Sequence, residues 1–340
     1  MSRFVLRTGQ TRCFDAAGRG LPCPVNGQDA AAGSGAPWPE PRFTVDGANP
    51  EAVRDALTGL EWTKNANPNE FPAAWTEALA LIRTWNAEGR FGHDDWRLPN
   101  RRELRSLLSF AKTDPALPGG HPFENVFSGW YWTSTTAAVR PAYAWYVHLL
   151  GARMFYGRKN GDAMVWPVRG VSEVLAATGQ TACFDADGKP VDCAGTGQDG
   201  ETRHGAPWPE PRLIGDGSAD DVVHDGLTGL IWTRSADLAD GLTTWDGALR
   251  LVAALAEKDG RPWRLPTINE LESLVDASRH TPALPEGHPF TDLRDGYWSS
   301  TTSALESDWA MCLYLHKGAT GVGFKTGAEF HVWAVADQVA

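Results

Sequence analysis

The sequence predicts an α+β protein built from two copies of one domain. Three observations carry this expectation: an internal duplication along nearly the whole chain, apolar residues at helical spacing in one stretch of each copy, and short β-rich pieces separated by turn residues. The duplication is direct. TGQTRCFDAAGRGLPC at 8–23 returns as TGQTACFDADGKPVDC at 178–193, an offset of 170 residues. GAPWPEPR, LTGLxWT, WRLP, GHPF, the WTSTT/WSSTT pair and VWPV/VWAV follow in the same order in both copies. A unit of that length is too long for a solenoid repeat that needs neighbours to bury its face, so each copy is expected to be a domain. The expected domains are 1–170 and 171–340, with the boundary near Gly170.

Within the first copy, RFTVDG and VRDALTGLEWTK read as strands joined by turns. PAAWTEALALIRTWNAEG places Trp75, Leu79, Ile82 and Trp85 on one helical face and ends at Gly89. In WRLPNRRELRSLL, Asn100 is placed as an N-cap and Glu103 three residues on closes a capping box; Thr267 and Glu270 repeat the arrangement in WRLPTINELESLV. Pro99 and Pro266 sharpen the start of this second helix, and Leu104, Leu107 and Leu108 fall on its buried face. YWTSTT, AYAWYVHLL, RMFYG and MVWPVRG then read as strands.

The 340 residues, 42% hydrophobic and 21% charged, suffice for two domains with cores of their own. Sixteen tryptophans are an excess that serves either compact β-rich cores or partner surfaces. Residues 1–170 hold 19 Lys and Arg against 16 Asp and Glu, while the rest hold 12 against 26. That imbalance argues against a nucleic-acid protein but leaves the first copy able to meet an anionic partner. No stretch reaches 18 apolar residues, so no membrane span is expected. MSRFVLRTGQ lacks the apolar core of a secretory signal, so either a leader has been removed or the protein is cytosolic. Cys13 and Cys23 are ten apart, as are Cys183 and Cys193, and the matched contexts suggest two local disulfides; four buried thiols are the alternative. Cys312 is single.

LTGLxWT, DWRLPNxxEL, YWTSTT and VWPVRG together resemble the Lcl C-terminal-domain family, named after Legionella collagen-like adhesins, and both copies carry nearly the full set. The resemblance implies two tandem C-type-lectin-like domains, each with two helices and a twisted, mainly antiparallel sheet, related to formylglycine-generating-enzyme-like domains. It also implies an exported protein, extracellular, periplasmic or at the cell surface, and so strengthens the disulfide reading. It says little about the ligand, which has to be argued from residues.

The calcium-binding Glu-Pro-Asn, Gln-Pro-Asp and Trp-Asn-Asp motifs of C-type lectins are absent. No cofactor is expected; DADGKPVD, Asp185 to Asp192, clusters oxygens around a glycine turn as calcium loops do, but a turn inside a closed hairpin explains it more simply. Oxidase chemistry would need paired cysteines late in the fold, where only Cys312 lies, and His121 and His288 of GHPF have no nucleophile motif beside them. The copies differ most at 137–163 against 303–329, and variable late loops on a constant scaffold are where ligands are expected. In the first copy this segment supplies Arg140, Tyr143, Tyr146, Arg153, Tyr156, Arg158 and Lys159, a basic and aromatic set suited to sulfated or uronic-acid glycans. The second supplies Trp309, Tyr314, His316, Lys317 and Lys325 beside Glu306 and Asp308. Arg101, Arg102 and Arg105 read as exposed charge on the second helix. The expected function is non-enzymatic, adhesin-type binding of a glycan or protein at a surface. The alternatives are an assembly role in an envelope complex, filament or homo-oligomer, and, behind it, an enzyme of formylglycine-generating-like fold.

Overall fold

A computed structural model describes residues 4–23, 27–217 and 222–338. The chain forms two compact units, one of residues 38–207, the other of residues 1–37 together with 208–340. This differs from the expected division near Gly170. The reason lies in the cysteine-bearing segments: residues 171–207 pack on the repeat that precedes them, and residues 4–37 pack on the second repeat.

In the unit of residues 38–207, strands Phe43–Val45, Ala52–Asp55, Glu61–Thr63 and Val168–Arg169 form a four-stranded antiparallel sheet. The first helix is Trp75–Ala87, and it buries Trp75, Leu79, Ile82 and Trp85, the face its spacing predicts. Gly89 follows it at φ 62°, a left-handed conformation that glycine adopts without a Cβ clash. The second helix, Arg101–Ser106, has the predicted capping box: Asn100 accepts from the amides of Arg102 and Glu103, both at 3.0 Å, and Glu103 accepts from the Asn100 amide at 2.8 Å. Glu103 also takes both arms of Arg97 at 2.7 Å, so the Arg and Glu of this phrase lock one another.

Strands Trp130–Thr136, Tyr143–His148 and Arg153–Arg158 pair antiparallel in sequence order. The WTSTT strand is scaffold. Trp75 Nε1 donates to the Thr133 carbonyl at 2.7 Å, and the Thr133 hydroxyl donates to the Trp145 carbonyl at 2.8 Å. The other unit repeats the plan with sheet strands Leu213–Gly215, Val222–Asp225, Leu230–Thr233 and Val335–Asp337, helices Trp245–Asp259 and Ile268–Ser273, and strands Gly296–Thr302, Trp309–Tyr314 and Ala319–Phe324. Ten of the 16 tryptophans are among the largest fully buried side chains, which decides their excess in favour of core filling.

Both disulfides are formed, Cys13–Cys23 and Cys183–Cys193. Each closes a two-stranded hairpin on a segment docked by the same side chains. The Gln180 amide group pairs with the Thr136 backbone, accepting at 2.7 Å and donating at 2.9 Å; Gln10 does the same with Thr302 at 3.1 and 2.5 Å. Buried Asp199 accepts from the hydroxyls of Thr135 and Thr178, each at 2.7 Å, and Asp29 accepts from Thr301 at 2.6 Å.

Candidate functional site

Antiparallel pairing sets Tyr143 directly opposite Arg158, so the two side chains leave the same face of the sheet edge. Arg158 Nε donates to the Tyr143 hydroxyl at 3.0 Å, and the guanidinium carbons of Arg158 and Arg140 lie 5.6 and 5.8 Å from the Tyr143 ring centre. The Arg158 hydrogen bond is the largest influence holding this phenol below its ordinary pKa, with Arg140 adding to it. The stapled hairpin supplies the facing wall. Gly188, at φ 84°, sits so close to the strand that a Cβ there would lie 2.6 Å from the Ala142 amide nitrogen. The result is an open cleft of about 230 Å³ lined by Ala142, Tyr143, Arg158, Asn160, Ala186 and Asp187.

Beneath it, Lys159 is fully buried. Its ammonium donates to the carbonyls of Phe184 and Asp185 at 2.9 and 3.2 Å and lies 4.2 Å from the Trp75 ring centre. Burial pushes its pKa down to about 7, against the opposing pull of Asp185. Lys325 is its counterpart, equally buried, donating to the Thr302 hydroxyl at 3.0 Å and the Asp15 carbonyl at 3.4 Å over the Trp245 ring. Both lysines were expected to face a ligand; both instead pin a hairpin from below, each one residue past the end of its strand, where a hairpin carbonyl and a tryptophan ring house the ammonium.

The rest of the expected set divides. Arg140, Tyr143 and Arg158 gather at the cleft, and Tyr156 packs edge-on behind Tyr143 at 5.8 Å. Tyr146 lies elsewhere, half-buried against Trp130 with ring centres 3.9 Å apart, over Gly157, where a Cβ would strike its ring. Arg153 stands opposite His148 at the far end of the strand pair. In the other unit, Trp309 faces Phe324 in the register that Tyr143 and Arg158 occupy, with ring centres 5.5 Å apart. Tyr314, His316 and Lys317 form a separate group, the Lys317 ammonium 4.7 Å from the Tyr314 ring. One copy thus has a polar, cationic rim where its twin has an apolar pair.

Arg101, Arg102 and Arg105 are buried, not exposed; Arg101 lies 4.0 Å over the Trp145 ring. The Asp185 carboxylate accepts from the amides of Asp187 and Lys189 at 3.0 and 2.8 Å, so it closes the hairpin turn. Among the described residues no three His, Cys, Asp or Glu side chains come together as a metal site. Burial lowers the pKa of His121 and His288, each beside the Phe of its GHPF phrase, and pushes the buried Cys312 thiol up to about 12. Sequence reasoning singled out the segment 137–163 that holds Ala142 and Asn160 without naming either, and it missed Ala186 and Asp187 as lining residues. The signal for Asp187 was present as the DADG/DAAG difference between hairpin turns, but nothing local places that turn against Tyr143.

These features define a tandem α+β protein with disulfide-closed hairpins and a polar surface cleft. The chain belongs to the Lcl C-terminal domain family, whose model matches residues 51–169 and 221–336. No curated protein and no solved structure matches it in the corresponding comparisons. Among the described residues no helix is long and apolar enough to cross a membrane.

Proposed function

We propose that this is an exported, non-enzymatic, adhesin-type protein of two C-type-lectin-like domains, and that the cleft of residues 38–207 binds an acidic surface glycan. The observation that carries the reading is the Arg140, Tyr143 and Arg158 group at the rim of that cleft, replaced by Trp309 and Phe324 in the other copy. Two guanidiniums flanking a phenol offer a fork for sulfate or carboxylate and a ring face for a sugar. Membership of the Lcl C-terminal family supports the adhesin-type role, and two disulfides support an oxidising location. Asn160, and Asp187 on the hairpin, supply polar groups for sugar hydroxyls.

The test is binding of the full chain to sulfated and uronic-acid polysaccharides at about 0.1 M and 1 M salt, where screening lengths fall from about 10 to 3 Å. Salt-sensitive binding lost in Arg158→Ala and Tyr143→Ala, with unchanged thermal stability, is the expected result. Binding that persists in both variants, or no binding at low salt, overturns the assignment.

A further inference from the structure

The described residues of the segment, 4–23 and 27–37, are built as a part that holds its own shape. Its disulfide closes the hairpin, and Gln28 ties that hairpin to the following turn by accepting from the Phe14 amide and donating to its carbonyl, both at 3.0 Å. None of these bonds involves the surface on which it docks. Docking adds a second set: Gln10 on the Thr302 backbone, Asp29 on Thr301, Asn269 donating to the Leu6 carbonyl at 2.8 Å, and Ser307 donating to the Gly18 carbonyl at 2.8 Å.

The equivalent segment, 171–207, comes directly after the repeat it covers, whereas 4–37 is separated from its acceptor by an entire unit. Its covalent connection to the rest of the chain runs through Pro37 and Trp38, where one compact unit ends and the other begins. A preformed segment on such a connection makes the same bonds whether its acceptor belongs to its own chain or to another. Only the effective concentration set by the connection separates the two states.

We propose that residues 4–37 are an exchangeable docking segment, and that the surface they cover on residues 208–340 takes the same segment from a second copy of this chain. Because each copy carries both the segment donated and the surface accepting it, the products are reciprocal dimers, larger closed rings or open chains of copies.

The experiment mixes full-length chains of two isotopic masses across a concentration series, with and without a brief exposure to sub-denaturing guanidinium, and reads mixed-mass oligomers by native mass spectrometry. In parallel, the oxidised, fluorescently labelled peptide of residues 1–37 is offered to the unlabelled full chain. The expected results are mixed-mass species that grow with concentration, uptake of the peptide, and suppression of the mixed species by excess peptide. A peptide carrying Gln10→Ala and Asp29→Ala is expected to lose uptake while the protein itself stays unaltered, and Tyr143→Ala chains are expected to exchange as the parent does. Monomer of unmixed mass at every concentration together with no peptide uptake overturns the proposal, as does equal uptake of the doubly substituted peptide.

Discussion

Single buried charges carry much of the repeat's identity. Arg42 grips Asp55 with two nitrogens at 3.0 and 2.9 Å and also donates to the Ser106 carbonyl at 2.7 Å; Arg212, Asp225 and Ser273 copy the arrangement. Replacing Asp55 with Ala leaves a buried guanidinium uncompensated, and chemical denaturation is expected to show a loss of about 3–5 kcal/mol. The docking carboxyls make a pH prediction. Burial raises Asp29 and Asp199 to about 6, against the ordinary 3.8, with the threonine hydroxyls only partly offsetting it. Between those values each of these two carboxyls holds more proton in the folded chain than in the unfolded one, so its contribution to stability falls as pH rises from about 4 to 6 and is level above that. The slope integrates to on the order of 3 kcal/mol per carboxyl, and denaturation midpoints of Asp199→Asn across this range are expected to show a flatter profile. An Asp199→Asn profile with the same slope as the parent through pH 4 to 6 would count against the buried-carboxyl account.

At the scale of elements, the stapled hairpin is a wall of the candidate cleft as well as a cover for the core. Gly188→Ala forces a Cβ into the Ala142 backbone at a left-handed φ of 84°, so it is expected to destabilise by about 1–3 kcal/mol and to weaken ligand binding together with stability. Reducing the disulfides should lower the melting temperature, each short loop being worth roughly 2–3 kcal/mol. Thermal melts with and without reductant read this directly. The helices were legible because their causes are local: Asn100 and Glu103 are three apart, and the Trp75 face repeats at 3.6 residues. Lys159 and Arg101 were not. A cation in a variable segment reads as solvent-facing until the tertiary fold supplies Trp75, Trp145 and the hairpin carbonyls that house it.

For the whole molecule, duplication was plain in the sequence, and so were the cysteine pairs and the location of variation between copies. Which copy each cysteine segment serves was not, since docking through Gln180 and Asp199 bridges 44 and 64 residues, and docking through Gln10 and Asp29 bridges 292 and 272. Both segments present the same docking residues, so only the assembled fold distinguishes the pairings. A protease site inserted between Pro37 and Trp38 gives a direct check: after cleavage the short piece is expected to co-elute with the remainder on gel filtration. Prompt release under native conditions would contradict the docking described for residues 4–37.

The interleaved order also bears on how the gene can be divided. A cut at the visible repeat boundary, after Gly170, yields two fragments that each carry a companion hairpin made for the other's surface, with Thr135 and Thr301 deprived of their own carboxylate. A fragment spanning 38–207 instead contains its sheets, helices, cleft and stapled wall in one uninterrupted reading frame. What the duplication presents as the seam therefore runs through the middle of a working piece, and the proline-rich WPEPR phrases, where one unit gives way to the next, are the places to cut.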